Sequence, residues 1–211
     1  LGFIGSNLIS KVLKNDNFVV NVDCETYASV DKSFLNFEKH KNYKHYKLDI
    51  TDFKKLNNII KKYSFDIIFH LAAESHVDNS IESSLLFCET NVIGTLNLLD
   101  SYNKLNKKHK LFIHISTDEV YGSIKEGFFD ENSNYNPNSP YSASKASSDH
   151  FVRSYFETHK LPVIITNCSN NYGPNQNKEK FIPTIINSLI NKKKIPVYGD
   201  GKNIREWIYV E

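Results

Sequence analysis

Methionine is absent from the 211 residues, and arginine occurs only twice, as Arg153 and Arg205. A chain that opens on Leu1-Gly2 with no initiator is expected to be a piece of a longer one, so no targeting peptide can be read from its start. Cysteine is scarce too. Cys24, Cys88 and Cys168 are far apart and odd in number, which gives neither a zinc spacing nor a disulfide framework and points to a reducing, cytoplasmic setting. The eight histidines form no ligand pair at helical spacing, and no metal is expected. No run of about 18 apolar residues exists, so no helical membrane span is expected. Excess charge is also missing: 26 basic against 24 acidic residues leaves +2. The lysines are scattered among asparagines rather than set in a stripe, which excludes the footprint of a nucleic-acid binder.

What is present is an alternation. The runs "FVVNVD" (18–23), "DIIFHLAA" (66–73), "KLFIHIST" (110–117) and "PVIITN" (162–167) are short, β-branched or aromatic, and apolar at nearly every position, the signature of parallel strands buried on both faces. A weaker strand is expected near 44–48. Helices are expected over 6–15, 52–63, 84–102 and 141–159. This order predicts right-handed crossovers and a doubly wound α/β sheet. After Asn167 the rhythm gives way to "CSNNYGPNQNKEKFIP", then a helix over 184–194, a short strand at 195–201 and a last strand at 204–211. The expected division is therefore a dinucleotide-binding domain over 1–167 and part of a smaller lobe over 168–211.

Several spacings carry chemistry. Gly2 and Gly5 precede a helix, as in turns that bring the backbone close to a pyrophosphate. Asp23 ends the next strand near the ~20-residue offset at which an acid binds a ribose, and an acid there favours NAD over NADP. A strand-end turn is the bland alternative for Asp23. Tyr141 and Lys145 stand four apart at a helix start, where a lysine can lower a phenol's pKa. That pair alone is common on surfaces. Small residues around it ("SPYSASKASSDH") and Thr117 at the end of the preceding strand, where open α/β sheets bind ligands, make a hydroxyl–tyrosine–lysine set. Asp118 and Glu119 then set two adjacent carboxylates at a strand tip. Neighbours on an extended strand point to opposite faces, so the backbone must turn at Asp118 to aim both at one ligand. Two like charges in a half-dry cleft would divide acid and base roles between them.

Taken together, "GFIGSN", "HLAAESHVD", "ETNVIGT", "ISTDEVYG", "PYSASKASSDH", "CSNNYGPNQ" and "GDGKNIREWIYVE" resemble the nucleotide-sugar 4,6-dehydratases of the extended short-chain dehydrogenase/reductase group, most closely those acting on dTDP-glucose. The resemblance covers essentially the whole chain. It implies a Rossmann-like fold whose first strand would precede Leu1, NAD as cofactor, a nucleotide-diphosphate sugar as substrate, and a homodimer formed through helices 84–102 and 141–159. It implies Tyr141 as base towards the sugar O4, with Thr117 and Lys145, and Glu119 and Asp118 as base and acid of the water elimination. Gly2, Phe3, Ile4, Gly5, Asp23, Asp49, Ile50, Leu71, Ala72 and Ala73 would line the cofactor. Glu74, Asp78, Asn171, Lys180, Phe181 and Arg205 would border the substrate. Asn79, Asn167 and Lys178 depart from the family's usual Arg, Arg and Pro. Two other readings stay open: a UDP-sugar epimerase or decarboxylase, against which the Asp118-Glu119 pair argues, and a non-catalytic dinucleotide-binding module.

Overall fold

The computed structural model describes residues 1–105, 111–197 and 199–211. Chain order is α1 (Phe3–Leu13), β1 (Val19–Asp23), β2 (Tyr43–Lys47), α2 (Phe53–Lys62), β3 (Ile67–His70), α3 (Val77–Glu82), α4 (Ser84–Phe87), α5 (Gly94–Asn103), β4 (Leu111–Thr117), α6 (Pro140–His159), β5 (Val163–Cys168), β6 (Asn170–Tyr172), α7 (Phe181–Ile190) and β7 (Trp207–Tyr209). The architecture is α/β with parallel strands. It divides into two compact units. One comprises 1–21, 25–47 and 169–211; the other comprises 22–24 and 48–168.

The second unit is built on the parallel strands β3-β4-β5. Their register sets His70 beside His114, Ser116 beside Asn167 and Thr117 beside Cys168. Its core gathers Leu48, Ile50, Leu56, Ile60, Leu98, Leu99, Tyr102, Phe112, Val152 and Leu161. Local chemistry explains the helices. Asp52 caps α2 by accepting from Lys55 N at 3.1 Å, and Leu56 and Ile60, one turn apart, supply its buried stripe. Ser139 and Ser142 cap each other's backbone at the start of α6, Pro140 takes the first helical position, and Lys160 ends the helix at φ +56°. Between α4 and α5 the chain stays helical through a π-helical stretch, Cys88–Ile93, so 84–103 is one continuous rod with a bulge.

The first unit has its own core of Leu1, Ile9, Leu13, Leu35 and Phe37, and a parallel pair β6–β7. The strand expected over 195–201 does not form at 195–197 or 199–201. Gly199 and Gly201, at φ +59° and +72°, take the chain into left-handed turns around Asp200 that a strand does not tolerate. The helix expected from 184 begins earlier, at Phe181, and ends at Ile190. Lys110 and Tyr198, placed in strands by the sequence pattern, lie outside the described residues.

Candidate active site

Strand β4 ends at Thr117, and a 3₁₀ turn of Asp118–Tyr121 follows at once. That is the bend that two neighbouring acids need in order to address one region. Thr117 is buried and organises it: its Oγ1 accepts from Glu119 N at 3.2 Å and donates to Asp118 Oδ1 at 3.2 Å. The turn closes on Gly122 at φ +86°, where an added Cβ would lie 2.3 Å from the Asn136 carbonyl oxygen.

Tyr141 sits in the first turn of α6 with its ring edge-on to Phe87, centroids 6.3 Å apart. Burial pushes its phenol well above the ordinary value, the charge of Glu119 pushes it further, and a hydrogen bond with Thr117 pulls it back. Thr117 has one hydroxyl proton, so donation to Asp118 and to the phenol are alternatives. The expected lowering of Tyr141 by Lys145 is not what governs the phenol here. Lys145, buried one turn on, donates instead to the Ile115 carbonyl on β4 at 2.7 Å. Its ammonium is itself pulled down to about 8 by burial, against the attraction of Asp149 and Cys168.

Thr117, Asp118, Glu119, Tyr141 and Lys145 thus share one unit, and electrostatics or hydrogen bonds join four of them around the phenol. The same unit holds the strand-end acids. Desolvation, then Asp23 and Asp49, then more weakly Glu74, push up the Cys24 thiol, so these three acids come together. Glu74 is itself pushed up, by burial first and Asp49 second. Asp49 caps its own turn by accepting from Thr51 N and Oγ1 at 2.8 Å each, while the Ile50 side chain is buried where Gly94 leaves room for it. Leu71, Ala72 and Ala73 are half-buried just past β3, and Asp78 is exposed.

Two groups of residues escaped the sequence reading. Asn91, in the π-helical stretch and 1% exposed, accepts from Glu74 N at 2.8 Å and donates to Glu74 O at 3.0 Å and Ser144 Oγ at 2.8 Å. It clamps the segment after β3 to α6. Asp149 is buried on α6, where Oδ2 accepts from Ser116 Oγ at 2.7 Å and Tyr135 OH at 2.9 Å. Asn167 donates to Thr117 O at 3.3 Å and to Asp149 Oδ2 at 3.5 Å, so its amide is spent inside the network.

Gly2, Phe3, Ile4 and Gly5 lie in the other unit, at the start of α1. A Cβ added at Gly2 or Gly5 would meet nothing within 4 Å, so open space lies over a helix N-terminus, which suits a cofactor's phosphates. The same unit holds Asn171, half-buried; Lys180, preceding α7; Phe181, stacked on Trp207 at 5.8 Å; and Arg205, exposed and donating to Ile204 O at 2.8 Å.

Known proteins resemble this chain over its length. The dTDP-glucose 4,6-dehydratase of Haemophilus influenzae is 46% identical over 220 residues, covering all of this chain and 65% of that protein. The structure of a DesIV double mutant, a dTDP-glucose 4,6-dehydratase from Streptomyces venezuelae with NAD bound, superposes with a TM-score of 0.93 at 40% identity over 99% of this chain and 66% of that one. A UDP-glucose 4-epimerase from Thermotoga maritima reaches 0.90 at 27% identity, over 99% of this chain and 67% of that one. The chain spans slightly less than two thirds of the curated relatives it matches. The family model described as GDP-mannose 4,6 dehydratase matches residues 1–211, from the glycine before α1 to the strand after Arg205, and the chain belongs to that family.

Proposed function

We propose that this chain is the dinucleotide-binding domain, residues 1–167, and part of the substrate lobe, 168–211, of an NAD-dependent hydro-lyase that converts dTDP-glucose to dTDP-4-keto-6-deoxyglucose. The observation that carries the reading is the turn at the end of β4: Thr117, Asp118 and Glu119 follow one another there, and Thr117 and Glu119 both act on the Tyr141 phenol. Relatives 46% identical and named as dTDP-glucose 4,6-dehydratases support the choice of reaction.

Bound NAD would supply the hydride acceptor for oxidation at the sugar C4 and the donor for reduction at C6. Every other step falls to side chains. Tyr141 takes the O4 proton, and Thr117 steadies the phenolate by switching its single proton from Asp118 to the phenol. A ketone at C4 makes the C5 proton acidic. Glu119 removes it, and Asp118 protonates the departing C6 hydroxyl, so water leaves across C5–C6. Gly2, Phe3, Ile4, Gly5, Asp23, Asp49, Ile50, Leu71, Ala72 and Ala73 hold the cofactor, with Lys145 at its ribose. Glu74, Asp78, Asn171, Lys180 and Phe181 border the sugar nucleotide, and Arg205 forks its phosphates. The parent is a cytoplasmic homodimer in this reading, for which the exposed Leu85, Ile93, Phe151 and Phe156 on the helices of 84–103 and 140–159 speak.

A single-turnover experiment on the full-length parent tests the reading. Enzyme loaded with NAD is mixed with dTDP-glucose; NADH absorbance and mass loss are followed. Asp118→Asn and Glu119→Gln should still form NADH while dehydrating roughly 10²–10⁴-fold more slowly. Tyr141→Phe should form almost none. Carboxylate variants that dehydrate at the parental rate would move the epimerase reading ahead.

A further inference from the structure

One buried carboxylate has no part in those steps. Asp149 lies four residues after Lys145 and eight after Tyr141, so the three follow one another up the same side of α6. Asp149 is 2% exposed and Lys145 4%. A buried ammonium whose described hydrogen bond goes to the neutral Ile115 carbonyl needs a negative charge nearby to remain an ammonium. The groups facing Lys145 come from four elements. His70 on β3 and His114 on β4 are both pushed down by burial, His70 well below its usual value, and as neutral rings they offer no charge. Cys168 on β5 donates its thiol to Ser116 O at 3.3 Å. On α6 itself stand Tyr141, whose phenol is protonated at neutral pH, and Asp149.

Asp149 is also tied down. Ser116, Tyr135 and Asn167 converge on its Oδ2, while His114 Nε2 stands 3.1 Å from Oδ1 without hydrogen-bond alignment. Ser116 immediately precedes Thr117, and Asn167 holds the Thr117 carbonyl. The carboxylate one turn on from Lys145 is therefore braced against the strand end that carries the elimination turn.

We propose that Asp149 is a positioning residue of this site: it supplies the counter-charge of Lys145 and, through Ser116 and Asn167, pins α6 to the end of β4. It touches neither substrate nor cofactor. Its charge acts on Lys145, and Lys145 acts on the cofactor ribose. The inference rests on the dehydratase reading, because its test uses the first oxidation.

The test is the pH profile of NADH formation in a single turnover of the NAD-loaded full-length parent with dTDP-glucose. Asp149→Asn keeps the shape and an acceptor oxygen but removes the charge. Without that charge the ammonium gives up its proton more readily, so the pH at which the profile turns over on Lys145 should fall by about one unit. Asp149→Glu should restore it, and Ser116→Ala, which removes a brace but no charge, should leave it in place. A uniform loss of rate in Asp149→Asn with an unmoved turning point would make the residue merely structural and overturn the proposal. Should Asp149→Asn fail to fold, the double variant Lys145→Met/Asp149→Asn should fold again, since no unpaired ammonium is left; its failure to do so would equally overturn the proposal. A parent that forms neither NADH nor product would instead sink the dehydratase reading.

Discussion

Replacing Asn91 by alanine removes a clamp whose cost can be counted. The side chain is 1% exposed and makes three hydrogen bonds, two to the backbone of Glu74 and one to Ser144 Oγ. At a net 0.5–1.5 kcal/mol each, their loss comes to about 3 kcal/mol, and the Glu74 backbone groups left half-buried push the value towards the upper end. The bond from Ser148 Oγ to Asn91 O survives, since it uses the backbone. Urea denaturation of the full-length parent and of Asn91→Ala, followed by fluorescence, gives the difference directly. Asn91→Asp should be nearly as costly, because a carboxylate cannot donate to Glu74 O or Ser144. A loss below about 1 kcal/mol for Asn91→Ala would mean that water replaces the amide at no cost and that the clamp does not hold the segment after β3.

Three further outcomes follow from the geometry. Gly122→Ala should destabilise by roughly 2–3 kcal/mol, read by the same denaturation, since φ +86° strains an L residue and the new methyl would meet Asn136 O. Glu119→Gln should shift the pH profile of NADH formation to lower pH, because the charge that helps hold the Tyr141 phenol up is gone; an unmoved profile would refute the coupling. Hydrogen bonds from Lys32, then His45 and Lys47, hold Glu25 down to about 2 from its ordinary 4.5. The lowered value means a contribution to stability that is complete above 4.5 and lost as pH falls towards 2. Glu25→Gln should flatten the stability curve in that window and leave its shape unaltered from there up to the alkaline range, where Lys32, held up by Glu25, titrates.

Elements set by local pattern were legible from residues alone. The apolar runs became β1, β3, β4 and β5 within a residue or a few, though not buried on both faces, since Ile67, Phe69 and Ile164 stay exposed; the 84–102 and 141–159 periodicities became helical rods. Thr117, Tyr141 and Lys145 were legible because their spacing is local to one strand end and one helix turn. Asn91 and Asp149 were not, because their partners lie 17 to 53 and 14 to 33 residues away and meet only through the packing of α6 and the register of β4 on β5. The direction of the Tyr141 shift was misread for a related reason. Spacing puts Lys145 on the right face, but which acceptor its ammonium takes is decided by the carbonyl of Ile115 on another element.

The π-helical stretch at Cys88–Ile93 makes residue number as important there as residue kind. One additional residue in a turn changes the phase of everything beyond it by about 100°. Before the bulge the rod presents Phe87 to Tyr141; after it, Leu98, Leu99 and Tyr102 face the core under β4. Deleting a single residue from 88–93 would give a more regular helix and a worse protein, because either the aromatic against the phenol or the three core side chains would rotate out of place. A gap at this position is therefore one that drifting sequences cannot accept, even where every substitution on the rod's outer face is tolerated.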